Sequence, residues 1–190
     1  MGLIGWIIVG AAVLALFYVI AIYNGLVRLR ALVKEGFSGI TVQLRRRADL
    51  IPNLVEAVQG YATHEREVFE QVSANRSAAL TAGSVAATAQ ADAQMTGLLG
   101  RLLAVAEAYP ELKANTNFLQ LQDQLANIEG ELQSARRYYN ATVRDLNSTI
   151  QSFPPVLIAR PMGFTEEPFY QDEDQSIQAA PKVSFARPAA

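Results

Sequence analysis

A chain of 190 residues has room for one domain and an anchor, and a net charge of −2 lacks the basic surplus of a general nucleic-acid binder. Hydrophobic residues make up 51% of it, with the excess at the N-terminus. It has no cysteine, which removes disulfides, thiolate metal sites and thiol nucleophiles together.

The first 27 residues carry no charged side chain, and residues 3–23 form a nearly continuous apolar run. At about 1.5 Å per residue a helix of this length reaches roughly 31 Å, the hydrocarbon thickness of a bilayer. Trp6 near one end and Tyr18 and Tyr23 toward the other suit the membrane interfaces. A cleaved signal peptide would start with basic residues and a shorter apolar core. Here no basic residue precedes the run, and helix-compatible sequence follows it directly. Trp6 stands where N-myristoylation at Gly2 calls for Ser or Thr. Residues 1–24 are therefore expected to be a transmembrane anchor, with Gly10, Ala11 and Ala12 allowing close helix packing.

Six cations follow the run, Arg28, Arg30, Lys34, Arg45, Arg46 and Arg47, against one acid, Glu35. The positive-inside rule places the remainder of the chain in the cytoplasm, with the N-terminus outside. Arg28, Arg30 and Lys34 lie near enough to the span to contact lipid head groups.

Beyond the anchor, apolar residues recur at spacings of three and four. Phe37, Ile40, Leu44, Ile51, Leu54, Val58, Tyr61, Val68 and Val72 share one heptad frame, with Arg47 and Glu65 at two skipped seam positions. A second frame runs through Met95, Leu98, Leu102, Val105 and Tyr109. The third and longest starts at Phe118, Leu121 and Leu125 and drifts on to Ile150. Alternation is nowhere visible, which argues against strands. These narrow stripes predict an all-α fold. The N-terminal transmembrane helix continues into an antiparallel, coiled-coil-like bundle of long helices over residues 25–153, and an irregular Pro-rich tail follows over 154–190.

Breakers set the boundaries. The Ala, Thr and Ser residues around Gly83-Ser84 are expected to join two helices, Tyr109-Pro110 to end one, and Asn115 to cap another that runs from Thr116 to about Ser152. Pro52 lies inside the first frame with register kept on both sides. This favours a kinked continuation over a new helix capped by Asp49. After Phe153-Pro154-Pro155 no helical period survives, yet the chain stays too apolar for a solvated linker as far as Tyr170. That stretch is expected to pack along the helices, and the remainder to be mobile.

The polar residues offer two candidate groups. Arg46, Asp49 and Asn53 lie three and four apart on one helical face. Buried, they would form an interhelical or intersubunit network, with Arg136 and Tyr139 and their neighbours Arg137, Tyr138 and Asn140 as partners; exposed, they would form an ordinary ion pair. His64-Glu65 lacks the residues of a phosphoacceptor box, and no second histidine exists to build a metal site. No nucleophile–base pairing or phosphate loop accompanies any of these groups, so the chain reads as non-catalytic, with no cofactor and no bound metal.

Several runs together resemble the LemA family: YNGLVRLR at 23–30, VQLRRRADLIPNLV at 42–55, GYATHE at 60–65, RLLAVAEAYPELK at 101–113, NFLQLQ at 117–122, ARRYYN at 135–140 and Phe153-Pro154. The resemblance covers nearly the whole chain through Phe169. It implies an N-terminal membrane helix, an antiparallel α-helical domain and no known catalytic activity, with some relatives tied to the biogenesis of internal bacterial membranes. Gly36-Phe37 departs from the family's usual Ala-Trp, and Gly39-Ile40-Thr41 lacks its usual acidic neighbours. The expected protein is a homo-oligomer on the cytoplasmic face of the bacterial inner membrane, where it scaffolds, organises or remodels the bilayer. The alternative is an adaptor or sensor that binds a membrane protease or an envelope-stress partner.

Overall fold

The computed structural model describes residues 2–62 and 65–170. His64 lies outside them, as does the tail beyond Tyr170. Among the described residues every regular element is helical, in agreement with the all-α expectation.

Helix α1 (Leu3–Gln59) is 57 residues long and does two jobs. Its first part is apolar and long enough to cross a membrane, and none of that apolar window is buried against the protein. From Leu26 onward its burial becomes periodic, through Val33, Gly36, Ile40, Leu44, Arg47, Ile51, Leu54 and Val58. That spacing keeps one narrow stripe against a partner helix. The partner is α5 (Thr116–Gln151), which runs antiparallel along the buried part of α1. Between them in sequence come α2 (Arg66–Thr81), α3 (Val85–Glu107) and the single turn α4 (Pro110–Lys113); a second single turn, α6 (Val156–Ala159), follows α5. Ser84 Oγ caps α3 by accepting from the Ala87 amide, and Asn115 Oδ1 caps α5 by accepting from Asn117 and Phe118.

Two apolar cores result. One, far from the apolar start of α1, gathers Ile51, Leu54 and Val58 with Phe69, Val72, Met95, Leu102 and Phe118. The other joins Leu26, Val33 and Ile40 to Leu132, Tyr139, Leu146 and Ile150. In the second core α1 and α5 approach closely at Gly36, where a Cβ would stand 3.1 Å from the Tyr139 Cα. The departure at Gly36-Phe37 thus has a physical setting. The missing side chain admits the α5 backbone, and the Phe37 ring packs on Tyr139 at 6.0 Å.

The first heptad frame does not continue to Val72 along one helix. The chain leaves α1 after Gln59, at Gly60, and reverses so that α2 lies back along it. Tyr61 and Glu65 are exposed in consequence, while Val72 reaches the core from the other side. Gly60 weakens the helix at that point, and burial of Phe69 and Val72 against α1 needs the turn. Pro52, by contrast, neither starts nor ends a helix; α1 passes through it. Proline has no N–H, so the Ala48 carbonyl loses its partner one turn back. Arg76 of α2 supplies the missing donor, with Nε 2.7 Å from Ala48 O.

The chain after α6 forms a strap. Gly163, at φ 76°, reverses it, and residues 164–170 return along α5. Asn147 binds both the carbonyl and the amide of Glu167 at 2.9 Å, and Asn140 does the same for Tyr170 at 3.0 and 2.8 Å. Seven helical residues rise about 10.5 Å and three extended ones about 10 Å, so the two asparagines match a strand-like chain in step.

Loss of the donor in Arg76→Ala is expected to cost about 1–2 kcal/mol of unfolding free energy. Pro52→Ala restores an amide to the Ala48 carbonyl, so Arg76→Ala in that background should cost less than half as much. Denaturant unfolding of the four proteins of this double-mutant cycle decides it. Equal costs in both backgrounds would mean that Arg76 does not serve that carbonyl.

Candidate functional site

Between the two cores lies a layer of charge. Arg47 sits between Leu44 and Ile51 on α1, Asp92 between Ala89 and Met95 on α3, and Glu129 between Leu125 and Leu132 on α5. Arg47 and Asp92 are 2% and 1% exposed. One Asp92 oxygen pairs with Arg47 Nη2 and the other with Arg136 Nη2. The Tyr170 hydroxyl donates to the second oxygen at 2.6 Å. Arg47 Nη1 also reaches Glu129 Oε1 at 2.7 Å and Thr96 Oγ1 at 3.2 Å, and the Arg136 guanidinium lies 5.6 Å from the centre of the Tyr170 ring. The four charges balance, two of each sign, and this is the condition for burying them at all.

The tyrosines that close this layer are held neutral. Burial, then the hydrogen bond and charge of Asp92, push the Tyr170 phenol well above its usual range, while Arg136 and Arg47 pull the other way. Burial, with Glu167 adding to it, pushes Tyr139 up to about 12. Its hydroxyl donates to the Pro168 carbonyl at 2.8 Å.

The residues singled out in the sequence divide. Arg136 and Tyr139 are buried, the first in the charge layer and the second beside it. Arg46, Asp49 and Asn53 are exposed, which within one chain fits the ordinary ion pair and not an interhelical network. Arg46 and Asp49 line an open groove of about 400 Å³ with Gln124, Asn127 and Glu131, and Asp49 stands 3.9 Å from Arg76. The buried cation is Arg47, one residue along and about 100° round the helix. Near the apolar span, Arg28 and Lys34 are exposed, whereas Arg30 is half-buried, donating to Gly163 O at 3.2 Å and lying 4.9 Å from the Phe164 ring centre. Sequence reasoning missed Asp92, Thr96 and Glu129. Their signal was positional, because each continues an apolar seam at a spacing of three or four.

Chemically the layer is a lock. Both Asp92 oxygens are occupied by arginine or phenol donors, so the carboxylate is spent as a base. Among the described residues no three His, Cys, Asp or Glu side chains are arranged to hold a metal ion.

A sequence model of the LemA family matches residues 36–185. The chain is 24% identical over 177 residues to the magnetosome proteins MamQ 1 and MamQ 2 of Paramagnetospirillum magneticum, covering 80% of this chain and 65% of each of theirs. It is 27% identical over 132 residues to protein LemA of Metamycoplasma hominis, covering 68% of this chain and 60% of that one. The chain therefore spans less than two-thirds of the length of these relatives.

Asp92→Ala, which strands two buried guanidinium groups, should cost about 3–5 kcal/mol in denaturant unfolding, whereas exposed Arg46→Ala should stay within about 0.5 kcal/mol. Combining Asp92→Ala with Arg47→Met and Arg136→Met should recover much of the loss. A second expectation concerns alkali. An unfolded phenol ionises near 10, so between about pH 10 and 12 the folded state keeps a proton on Tyr139 that the unfolded chain has lost. This stability is complete below pH 10 and disappears as pH rises through about 12. Thermal midpoints followed against pH, with phenolate absorbance alongside, should fall in that window and fall less steeply in Tyr139→Phe.

Proposed function

Because this chain belongs to the LemA family, we propose that it is a non-catalytic, membrane-anchored helical protein that assembles with further copies of itself to scaffold, organise or remodel a bilayer. The observation that carries the reading is the continuity of α1. One helix supplies both an unburied apolar stretch long enough to span a membrane and the central rod of the bundle. Anchoring confines the rods to a plane and raises their effective concentration for association. The cations from Arg28 to Lys34 that follow the apolar stretch support a bundle on the cytoplasmic side of a bacterial inner membrane, with the start of α1 facing outward. A layer of paired charges whose central carboxylate is engaged at both oxygens supports a structural role over a chemical one. Relatives named as magnetosome proteins agree with an organising function.

A second reading, an adaptor for a membrane protease or envelope-stress partner, draws on the open groove between α2 and α3. It holds about 580 Å³, with Ala74, Ala78, Ala93 and Gly97 in its wall beside the polar Gln71 and Arg101. Full-length protein purified in detergent and then reconstituted into liposomes separates the two. Self-assembly predicts a large homo-oligomer by light scattering, and ordered arrays or reshaped vesicles by electron microscopy. A monomer that co-purifies with a different protein, together with unchanged vesicles, would sink the scaffold and leave the adaptor.

A further inference from the structure

The end of α5 stands at a particular depth. Gly36 of α1 faces Tyr139 of α5, so eleven residues back along α1 and eleven on along α5 bring Gly25 level with Ile150. Ile150, Leu26 and Ala159 are buried in the same core, and Ile22 packs against it. This is where α1 passes from its unburied apolar stretch to its buried one.

The loop after α5 stays at that level instead of leaving it. The Phe164 ring meets Tyr23 edge-on at 5.7 Å, and Ala159 is fully buried in the second core, with α6 packed against α1. Between these fixed points the loop turns apolar groups outward: Phe153, Leu157 and Met162 are 78%, 65% and 49% exposed. Large apolar side chains clustered outside a folded surface mark a contact that water does not satisfy. Much of the main chain there is also bonded within the loop. Pro154, Pro155 and Pro161 have no N–H to leave bare. The amides of residues 156–159 and 162–164 donate to carbonyls of the same loop or of Ser152. Internal satisfaction of backbone donors is what a segment must achieve to meet hydrocarbon. Arg28 and Arg160, both exposed, supply cations at the same end.

We infer that residues 153–162 form an interfacial foot. Phe153, Leu157 and Met162 enter the boundary between head groups and acyl chains of the bilayer that α1 crosses, with Arg28 and Arg160 against anionic head groups. The inference rests on α1 spanning the membrane. The bilayer is the occupant because the loop lies at the edge of the apolar span, where lipid already surrounds α1. A rod attached through one helix can tilt and turn; a second contact beside it fixes the depth and heading of the bundle.

The absence of cysteine allows single labels. Leu157→Cys, Leu14→Cys and Leu119→Cys, each carrying an environment-sensitive fluorophore, are placed in the full-length protein in vesicles of equal parts phosphatidylcholine and phosphatidylglycerol, with nitroxide lipids as quenchers. The Leu157 probe should be quenched by shallow nitroxides at least about fivefold more than the Leu119 probe at the far end of the bundle, and the Leu14 probe by deep ones. If Leu14 is quenched while Leu157 behaves like Leu119, the foot is refuted and the anchor stands. If Leu14 escapes quenching, the span itself is wrong and the foot falls with it. A Leu157 probe shielded from water but untouched by nitroxide lipid would show a protein occupant and also overturn the inference. In a Met162→Cys protein, adding Phe153→Ser and Leu157→Ser should lower shallow quenching at least about twofold while helical content and the unfolding midpoint stay unchanged, because both side chains are exposed.

Discussion

The carboxylate of Asp92 is the constraint on which the arrangement depends. Buried to 1% exposure, it must be met by donors, and these come from α1, α5 and the strap at once: two arginines and the neutral Tyr170 hydroxyl. The apolar seams alone would not fix how these elements align. Leu, Val and Ile repeat along α1 and α5 every three or four residues, so a slip of one turn would still pair apolar with apolar. A slip that carries Arg47 past Glu129 and Asp92, however, leaves charges buried without partners, at far greater cost than a misfitted leucine. The layer gains little net stability over an apolar one. Its effect is to select one alignment out of several, as single polar residues do in helical seams.

Alignment matters because α1 is a single element from its unburied apolar stretch to the core. Any slip between α1 and α5 would shift the rest of the bundle along α1, by about 5.4 Å for each turn. Pro52 is the point at which such a rod would be expected to weaken, and there α2 intervenes through Arg76. The charge layer sets the height of α5 on α1, and the height of α5 sets where residues 153–162 come to lie.

Much of this was legible in the sequence. The apolar stretch, the seams of α1 and α5, the cap at Asn115 and the packed character of the segment up to Tyr170 all follow from patterns of a few residues read locally. The errors share a physical origin. Arg46 lies at helical spacing from Asp49 and Asn53, but local spacing says nothing about which face is buried. The heptad frame had already put Arg47 on the seam, and there the tertiary pattern outweighed the local one. The reversal after Gln59 was hidden because Val68 and Val72 keep the same phase across a turn in which the direction of the chain is lost. The strap has no period to read at all. Its backbone groups are satisfied by Asn140 and Asn147, side chains that give no sequence signal until the fold brings residues 20–30 positions away against them.

The strap also explains how the two ends of the second core are tied. A segment without helix or sheet can be laid against a protein only if its amides and carbonyls are bonded elsewhere, and the two asparagines provide that at Glu167 and Tyr170. Their spacing carries the Tyr170 side chain to Asp92, while Phe164 at the other end holds Tyr23 and Arg30. The partners of Asp92 are 45, 44 and 78 residues away in the chain. No local structure can assemble such a node, so its completion requires α1, α3, α5 and the strap all to be in place. The same contacts that close the node hold the loop at the start of the strap beside Tyr23. The polar layer in the middle of the bundle and the apolar loop at its end are therefore two ends of one continuous restraint.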